Sequence, residues 1–344
     1  MERVIRKMDI YDPNGYINVP EIAARPTWLK VLIGARQVGK TYGVLKYYLE
    51  SGEKFLLLRR TTAELQFIGS NSQLDPFLKF EPEYHTRLLG SGGSYTIIDY
   101  DANGPIEGSE RGVAMSLPQV AHVRGFDGSA FKAIVFDEAV PEKGVRVLQS
   151  EGESLLNAYT TINGNRELTG EPPATLWLLC NTNNINSRIL DSLNLTDDII
   201  RMRSKGLEYL EKGGVSIFQG RSEKITAARK QTALARQIDA GSEFAGMAFG
   251  NEWSYDVSPL IGQQSLKGYT PVCGFDDMYI WENGSRLYAC RVAHKVEHYG
   301  TGRFEREEFI ANYRWTRPWY DERLMLFSDL RLLSMYRQLF GIDY

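Results

Sequence analysis

The fold is decided by the stretch "KVLIGARQVGKTYGVLKYYLESGEKFLLLRR", residues 30–60. Its pattern predicts a buried strand over 30–34, a helix over 40–50 and a second buried strand over 54–58. A glycine-rich turn separates the first strand from the helix, which ends near Ser51-Gly52. After an initial lysine, each strand is a continuous apolar run rather than an alternating one, which indicates strands that are covered on both faces. This order is typical of a mostly parallel α/β sheet.

The turn matches the phosphate-binding loop pattern G-x-x-x-x-G-K-[ST]. Its glycines allow backbone N–H groups to approach phosphate oxygens, and the following helix directs its positive dipole end at the anion. Lys40 is expected to reach the β- and γ-phosphates of ATP, and the Thr41 hydroxyl to bind Mg²⁺. A chance glycine-rich turn is disfavoured because the motif follows a predicted strand and opens a predicted helix. The expected nucleotide-binding residues are Gly34, Ala35, Arg36, Gln37, Val38, Gly39, Lys40 and Thr41.

Two acids follow another apolar run, "FKAIVFDEAV", residues 131–140. We expect Asp137 to hold Mg²⁺ and Glu138 to polarise the attacking water as a general base. The alternative is an acidic pair at the surface end of a strand. The next apolar run, "LWLLCNT", places Asn181 where a polar residue could touch that water, with Thr182 as second choice. Asn181 could instead only cap the turn after its strand.

Composition limits the remaining possibilities. The 344 residues are enough for two domains, and a net charge of −3 gives no general basic field, so contacts with DNA have to come from local patches. Three scattered cysteines fit a reducing compartment and show no metal-binding spacing. The first residues lack an apolar core, and no apolar run reaches about 18 residues, which predicts neither a secretory signal nor a membrane span.

The chain is predicted to divide into three parts. Residues 1–205 form the phosphate-loop ATPase domain, 206–250 a helical linker rich in Ala, Lys, Arg and Gln, and 251–344 a smaller α+β domain. The predicted details include a glycine-turn hairpin over 87–100, a hairpin turn at 282–285 and a final helix over 321–340.

A further strand–helix unit, containing "FLLLRR", fits along the chain between the phosphate-loop strand and the acid strand. Proteins with a strand inserted between those two belong to the additional-strand, catalytic-glutamate (ASCE) division of phosphate-loop ATPases. Arg59 and Arg60 end this unit. We expect one of them to face nucleotide or an acid and the other a DNA pore, or both to form structural ion pairs with the acids.

Several motifs together resemble a known family. "VLIGARQVGKTYG", "FLLLRRTTAEL", "VRGFDGSAFKAIVFDE", "NGNREL" and "LLCNTNN" occur in the order and spacing of the DNA-packaging ATPases of small protein-primed podophages (Salasmaviridae/Picovirinae type), which are relatives of terminase large subunits. The resemblance covers residues 28–200. Beyond 205 only the layout is similar, with a linker and a domain that would be a vestigial ribonuclease-H-like nuclease.

The resemblance implies a motor that uses ATP to translocate double-stranded viral DNA into a preformed capsid through its portal. The implied partners are DNA, the portal of the procapsid, further copies in a pentameric ring and a structural RNA. Such a protein would work in the host cytoplasm and at the portal vertex, and would be absent from the mature virion. The alternatives are a cellular DNA translocase or helicase of the HerA/FtsK type, and a nucleotide-gated scaffold that does not hydrolyse ATP.

The resemblance also implies roles for basic residues. Arg166 matches the family's trans-acting arginine, and Arg124 a second basic position acting across the interface, while Arg36 could act within its own subunit. A solvated or DNA-facing arginine is the alternative for Arg166 and Arg124. The candidates for gripping DNA phosphates are Arg111, Lys132, Lys143 and Arg146.

Nuclease activity is not expected of the last domain. A two-metal nuclease needs three or four clustered carboxylates, and no convincing constellation is found among Asp256, Asp276, Asp277, Glu282 and Glu297. Its basic and aromatic residues suggest docking to the portal, DNA or RNA, or else a solvated face over an aromatic core.

Overall fold

The structure is a computed structural model that describes residues 10–35, 37–122, 128–141, 150–181, 187–220, 222–238 and 258–342. The described residues fall into two compact units. The first comprises those up to Leu193 and those between Leu207 and Ser254; the second comprises Asn194–Gly206 and those from Tyr255 onward.

Unit 1 is built on one mixed sheet, for which the described residues supply nine strands. The two strands predicted from residues 30–60 are present, and the first is buried along its whole length. The strands are β1 (Leu29–Gly34), β2 (Phe55–Arg59), β3 (Thr86–Ser91), β4 (Ser94–Asp101), β5 (Gly104–Ser116), β6 (Ala133–Asp137), β7 (Thr175–Cys180), β8 (Tyr209–Lys212) and β9 (Val215–Gly220).

The strand order is β3-β4-β5-β2-β6-β7-β1-β9-β8. The six neighbouring strands β5-β2-β6-β7-β1-β9 are parallel to one another. At the two edges, β3, β4 and β8 extend the sheet with antiparallel pairs. The predicted α/β class with a mostly parallel sheet is confirmed. In space, the strand between the phosphate-loop strand β1 and the acid strand β6 is β7 and not the "FLLLRR" strand. The sequence could not show this, because the order in which strands pair depends on long-range contacts that the strand sequences do not specify.

Helices pack beside this sheet. The helix after the phosphate loop turns Val44, Leu45, Tyr48 and Leu49 inward, as an amphipathic helix on a sheet must. The Nε1 atom of Trp177 on β7 donates to the Tyr48 hydroxyl at 2.9 Å, which joins that helix to the sheet. The helices of unit 1 are α1 (Val19–Ala23), α2 (Lys40–Ser51), α3 (Thr62–Gly69), α4 (Leu117–His122), α5 (Glu151–Asn163), α6 (Arg188–Ser192), α8 (Glu223–Lys230) and α9 (Ala233–Gln237).

The segment predicted as a helical linker differs from the expectation in its first part. Residues 206–220 contain β8 and β9, and β9 pairs in parallel with β1 from Leu29↔Val215 to Gly34↔Gly220. Gly213 and Gly214, both at positive φ, form the turn between the two strands. The helical prediction was drawn from the Ala- and Lys-rich residues further on, where α8 and α9 are found. Residues 239–250 of that segment lie outside the described residues.

Unit 2 contains a five-stranded sheet and its helices within the described residues. The predicted turn at 282–285 joins β11 to β12 in an antiparallel pair. The sheet order is β13-β10-β11-β12-β14. The elements are α7 (Thr196–Ser204), β10 (Thr270–Phe275), β11 (Met278–Glu282), β12 (Leu287–Cys290), β13 (His298–Tyr299), α10 (Arg303–Tyr313), α11 (Thr316–Asp321), β14 (Met325–Phe327) and α12 (Leu330–Leu339).

The single final helix predicted over 321–340 is wrong. The structure ends α11 at Asp321, inserts the buried strand β14 and begins α12 at Leu330. Arg323 has a positive φ of 61°, which interrupts the helix, and the Asp329 side chain accepts from Leu332 N as the N-cap of α12. None of the described helices has the length and apolar character needed to cross a lipid bilayer.

Candidate active site

The phosphate-binding loop connects the end of β1 to the start of α2. Gln37 and Gly39 have positive φ values of 64° and 89°, which curl the backbone into the turn that the motif predicts. Lys40, the first residue of α2, is 7% exposed, and its ammonium group lies inside the loop. Its Nζ atom donates to the carbonyl oxygens of Gly34 and Ala35, each at 2.8 Å. The phosphate-binding loop therefore holds the Lys40 ammonium group beside the space that the backbone of the loop surrounds.

Parallel pairing brings the predicted polar side chains to one sheet edge. Asp137 pairs with Leu179, so Asn181 lies two residues beyond it on the neighbouring strand. The Lys40 ammonium donates to Asn181 Oδ1 at 2.9 Å, and the Thr41 hydroxyl donates to Asp137 Oδ1 at 2.8 Å. The phosphate loop, the acid strand and the strand between them thus meet in direct contact.

Arg59 completes the charge arrangement at this edge. Its guanidinium lies 3.1 Å from Asp137 Oδ2 through one nitrogen and 3.1 Å from Glu138 Oε2 through the other. The Asp137 side chain is 7% exposed, whereas that of Glu138 is 50% exposed and reaches the solvent. The sequence left open whether this arginine faces nucleotide, a DNA pore or the acids, and the structure shows an ion pair with both acids.

These side chains line a cavity of about 330 Å³. Glu138 follows β6 with a positive φ of 57°, a conformation unusual for a residue other than glycine. That backbone conformation lets the two consecutive acids both reach the cavity and Arg59. The lining residues are Gln37, Gly39, Lys40, Thr41, Tyr42, Lys79, Asp137, Glu138, Leu179 and Asn181.

Three residues of this lining, Tyr42, Lys79 and Leu179, were not predicted as site residues, and Leu179 was expected only as part of its strand. Tyr42 directly follows the phosphate-loop threonine, so its position in the motif is a signal that could have identified it. Lys79 lies in a short 3-10 turn, Leu78–Phe80, far from every motif in the chain. No local pattern distinguishes it, because only the tertiary fold brings that turn to the cavity.

Arg60 has a structural environment. It is 2% exposed and forms ion pairs with Glu64 on α3 and Glu151 at the start of α5, each at 3.2 Å. The expectation that one of the two consecutive arginines faces a pore is not met by this side chain, which joins β2 to two helices inside its own unit.

Arg166 is bound to its own chain. The guanidinium is 7% exposed and donates to the carbonyl oxygens of Ser129 and Phe131, just before β6, and it pairs with Glu171 at 3.6 Å. Neither a solvated nor a DNA-facing side chain is found. To act on the nucleotide of a neighbouring subunit, the guanidinium would have to leave those two carbonyl oxygens. The trans-acting role of Arg166 stays a prediction.

The other basic candidates are divided between described and undescribed residues. Arg111 pairs with Asp99 at 2.7 Å, and Lys132 is exposed just before β6. Arg36, Arg124, Lys143 and Arg146 lie outside the described residues, as does Thr182. Their roles stay predictions.

Two of the candidate carboxylates of unit 2, Asp277 and Glu297, are engaged with other side chains. Asp277 lies 3.4 Å from Arg291 and 3.6 Å from Arg331, and Glu297 accepts from the Tyr313 hydroxyl at 2.7 Å. Among the described residues no group of His, Cys, Asp or Glu is arranged to hold a metal ion, and Asp256 lies outside them. The absence of nuclease activity stays a prediction.

Solved structures with the same fold come from phage packaging motors. One, titled "The bacteriophage Phi-29 viral genome packaging motor assembly", superposes with a TM-score of 0.63 at 20% identity and covers 95% of this chain and 99% of that chain. Another, titled "The Phi-28 gp11 DNA packaging Motor", gives a TM-score of 0.53 at 14% identity, with coverage of 96% and 99%. Both likenesses extend over nearly the whole of each chain and establish the fold.

Sequence comparison establishes the family. A DNA packaging protein of Bacillus phage B103 is 24% identical over 245 residues, which are 69% of this chain and 68% of that protein. The family model for the podovirus DNA encapsidation protein (Gp16) matches residues 11–288, which include the phosphate loop, the acid strand, β10, β11 and the first half of β12. The predicted resemblance to podophage packaging ATPases is confirmed, and the chain belongs to the podovirus DNA encapsidation protein (Gp16) family.

Proposed function

We propose that this protein hydrolyses ATP to move double-stranded viral DNA through the portal into a preformed capsid. The observation that carries the proposal is the cavity in which Lys40 contacts Asn181 and Thr41 contacts Asp137, with the half-exposed Glu138 in its lining. In a chain of a packaging family, this constellation supports nucleotide hydrolysis as the source of the work.

The loop and Lys40 would bind the phosphates. The ammonium group is now satisfied by carbonyl and amide oxygens, and phosphate oxygens are stronger, charged acceptors that would take their place. Backbone N–H groups at the start of α2 and the helix dipole favour the same anion. Binding would therefore rearrange Lys40 and release Asn181.

The donor set fits a magnesium ion. Mg²⁺ prefers oxygen ligands and uses few from the protein, and Thr41 and Asp137 present a hydroxyl and a carboxylate oxygen 2.8 Å apart. These two residues would hold the ion, which when bound would neutralise charge on the nucleotide phosphates.

Glu138 would act as the general base. Its exposed carboxylate can accept a proton from a water molecule, whose oxygen forms a bond to the γ-phosphorus while the bond to the ADP oxygen breaks. Arg59 holds one oxygen of that carboxylate, Oε2, at 3.1 Å, so Glu138 would orient water through its other oxygen or after the ion pair opens. Asn181, once released by Lys40, would contact the same water.

Translocation would couple several copies to the duplex. We propose a homo-oligomeric ring, pentameric as the family resemblance implies, at the portal vertex of the procapsid in the host cytoplasm, with a structural RNA as a further partner. Lysine and arginine side chains would contact DNA phosphates without reading bases, which suits a motor that has to move every sequence.

The experiment is to measure ATP hydrolysis by the purified full chain with and without two unrelated double-stranded DNAs. We expect both DNAs to stimulate hydrolysis to the same extent. Glu138→Gln should retain ATP binding and lose hydrolysis by about 100-fold or more, whereas Glu107→Gln, which alters an exposed carboxylate on β5, should behave as wild type. Full activity of Glu138→Gln, or stimulation by only one DNA sequence, would contradict the proposal.

A further inference from the structure

Lys79 forms a wall of the nucleotide cavity that no motif supplies. It lies in the 3-10 turn Leu78–Phe80, between α3 and β3, and lines the same cavity as Lys40, Thr41 and Asp137. The phosphate loop and the acid strand come from the parallel core of the sheet, whereas this turn precedes the antiparallel extension. The cavity therefore receives a second lysine from an independent element.

Two stacked aromatic rings lie beside this lysine. Its ammonium nitrogen lies 5.7 Å from the ring centroids of both Tyr42 and Phe80, which stack on each other at 4.9 Å with an interplanar angle of 30°. Rings at this distance attract a cation. Phe80 is 2% exposed, so one of the two rings is anchored in the core.

Hydrogen bonds fix the turn itself. The buried Asp75 carboxylate accepts from Phe77 N at 2.8 Å and from Leu88 N on β3 at 2.7 Å. These bonds join both ends of the segment that carries Lys79. The side chain is thus presented by a defined piece of backbone and not by a free loop.

The electrostatic surroundings favour an anion opposite this lysine. The residue as a whole is exposed, but the partial burial of its ammonium group lowers the pKa of Lys79; Asp137 acts in the other direction and Arg59 lowers it further. The two nearby carboxylates are already held by Arg59. Within the part of the chain that the structure describes, Lys79 has its two ring contacts but no hydrogen bond or ion pair, unlike Lys40.

We infer that Lys79 is a second lysine of the nucleotide site, which contacts the terminal phosphate of the bound nucleoside triphosphate from within the same subunit. The inference rests on the proposed ATPase function. It means that each subunit supplies two lysines to its own nucleotide, one from the phosphate loop and one from the turn before β3.

The variant Lys79→Met tests this contact, because methionine keeps an unbranched apolar stem against Tyr42 and Phe80 and removes the charge. Lys46→Met is the matched control: Lys46 lies on α2, outside the cavity lining, and its ammonium pairs with Glu50 and Glu83. Binding of ATP and of ADP is measured for each protein by displacement of a fluorescent nucleotide, together with kcat and KM for ATP.

We expect Lys79→Met to weaken ATP binding by about 10-fold or more, the usual effect of losing a hydrogen bond to a charged group, and ADP binding much less. Lys46→Met should match wild type for both nucleotides, and Lys79→Arg should recover part of the ATP affinity. Equal weakening of ATP and ADP binding, or no change in either while the wild-type protein hydrolyses ATP, would overturn the assignment. A wild-type protein that neither binds nor hydrolyses ATP would instead refute the proposed function.

A second measurement does not depend on the folding of a variant. The wild-type protein is treated with an amine-acetylating reagent, and acetylation of each lysine is followed by mass spectrometry. ATP should protect Lys79 more than ADP does and leave Lys46 unprotected. Modification of Lys79 at the same rate with ATP, with ADP and without nucleotide would count against the inference.

Discussion

Gly39 occupies the backbone position on which the phosphate loop depends most. Its φ is 89°, in the left-handed region, and a Cβ atom at this position would lie 3.3 Å from the Cβ of Tyr16. We expect Gly39→Ala to lower the free energy of unfolding by about 1–2 kcal/mol, the cost of a left-handed residue with a side chain, and to abolish tight ATP binding because the loop can no longer surround the phosphates.

Gly170 provides the matched control. Its φ of 79° and ψ of 10° resemble those of Gly39, but among the described residues nothing lies within 4 Å of its Cβ position, and it follows the 3-10 turn Arg166–Thr169 away from the cavity lining. Gly170→Ala should lose similar stability in chemical denaturation and retain full ATP affinity. If both variants bind ATP equally well, the left-handed turn at Gly39 is not needed for nucleotide binding.

Because of the buried lysine Lys30, we expect the free energy of unfolding to rise at alkaline pH. Lys30 is 2% exposed on β1, and its ammonium donates to the carbonyl oxygens of Arg25 and Thr27. Burial lowers the pKa of Lys30 from 10.5 to about 8, with Glu211 opposing and Arg25 assisting the shift. Between those two values the unfolded chain binds the proton and the folded chain does not. The destabilising contribution of burying the charge is therefore fully present below about pH 8 and is relieved as the pH rises toward 10.5.

Comparison with Lys30→Met isolates this effect. The free energy of unfolding of the wild type minus that of the variant should increase above about pH 8, by at most about 1.4 kcal/mol per pH unit. Lys267→Met, which alters an exposed lysine of unit 2, serves as the control for the pH dependence of all other groups. A wild-type minus Lys30→Met difference that stays constant over this range would show that Lys30 keeps its proton in the folded protein.

At the residue scale, the sequence predicted those site residues whose chemistry is tied to a local motif. Lys40, Thr41 and Asp137 are brought together as the phosphate loop and the acid strand imply. An ion pair of Arg59 with the acids was one of the alternatives that the sequence left open. The presence of Lys79 could not be predicted, since it depends on which elements are neighbours in the fold. The type of a residue shows which chemistry its side chain can perform, but only the fold determines which other groups that side chain contacts.

At the scale of elements, α3 offers a direct test of local helix signals. Thr61 accepts a hydrogen bond from Glu64 N, and the Glu64 carboxylate accepts one from Thr61 N, which together form a capping box at the start of the helix. Thr61→Ala should lower the free energy of unfolding by about 1 kcal/mol. Thr160→Ala, which removes an exposed hydroxyl bonded to the Leu156 carbonyl in the interior of α5, should change it little. Equal losses in denaturant titrations would mean that the cap contributes nothing specific.

The elements that were predicted correctly are those whose apolar pattern continues over several residues without interruption. The strands near 30–34 and 54–58, helix α2 and the hairpin β3–β4 are confirmed because their patterns extend over several residues and are bounded by glycines or charged residues. The hairpin of β8 and β9 was missed because its residues adjoin a segment rich in helix-forming residues. Strand β14 was missed because three apolar residues, Met325–Phe327, also fit a helical face.

At the scale of the whole molecule, the chain order does not coincide with the compact units. The sequence placed boundaries after residues 205 and 250, whereas Asn194–Gly206 belongs with the C-terminal residues and the segment from Leu207 returns to the first unit. Helix α7 therefore contributes to unit 2, and β9 is hydrogen-bonded to the phosphate-loop strand. A domain assigned by uninterrupted sequence would separate β9 from the strand that carries the phosphate loop. Shortened proteins for biochemical study should thus retain residues up to Gly220.

The last prediction concerns the proposed ring, in which Arg166 would complete the site of a neighbouring copy. Arg166→Ala should lower ATP hydrolysis, and because the guanidinium also binds the Ser129 and Phe131 carbonyls it should lower the free energy of unfolding by about 1–3 kcal/mol. Lys40→Ala should abolish hydrolysis at its own site while keeping its arginine. In an equal mixture of the two impaired variants, up to about a quarter of the interfaces in a random ring combine an intact lysine with an intact neighbouring arginine. We therefore expect partial recovery of activity, with a mixture of Lys40→Ala and Glu138→Gln, which share the same defective site, remaining inactive. An Arg166→Ala mixture that stays inactive at a temperature where both proteins are folded would show that this arginine serves only its own chain.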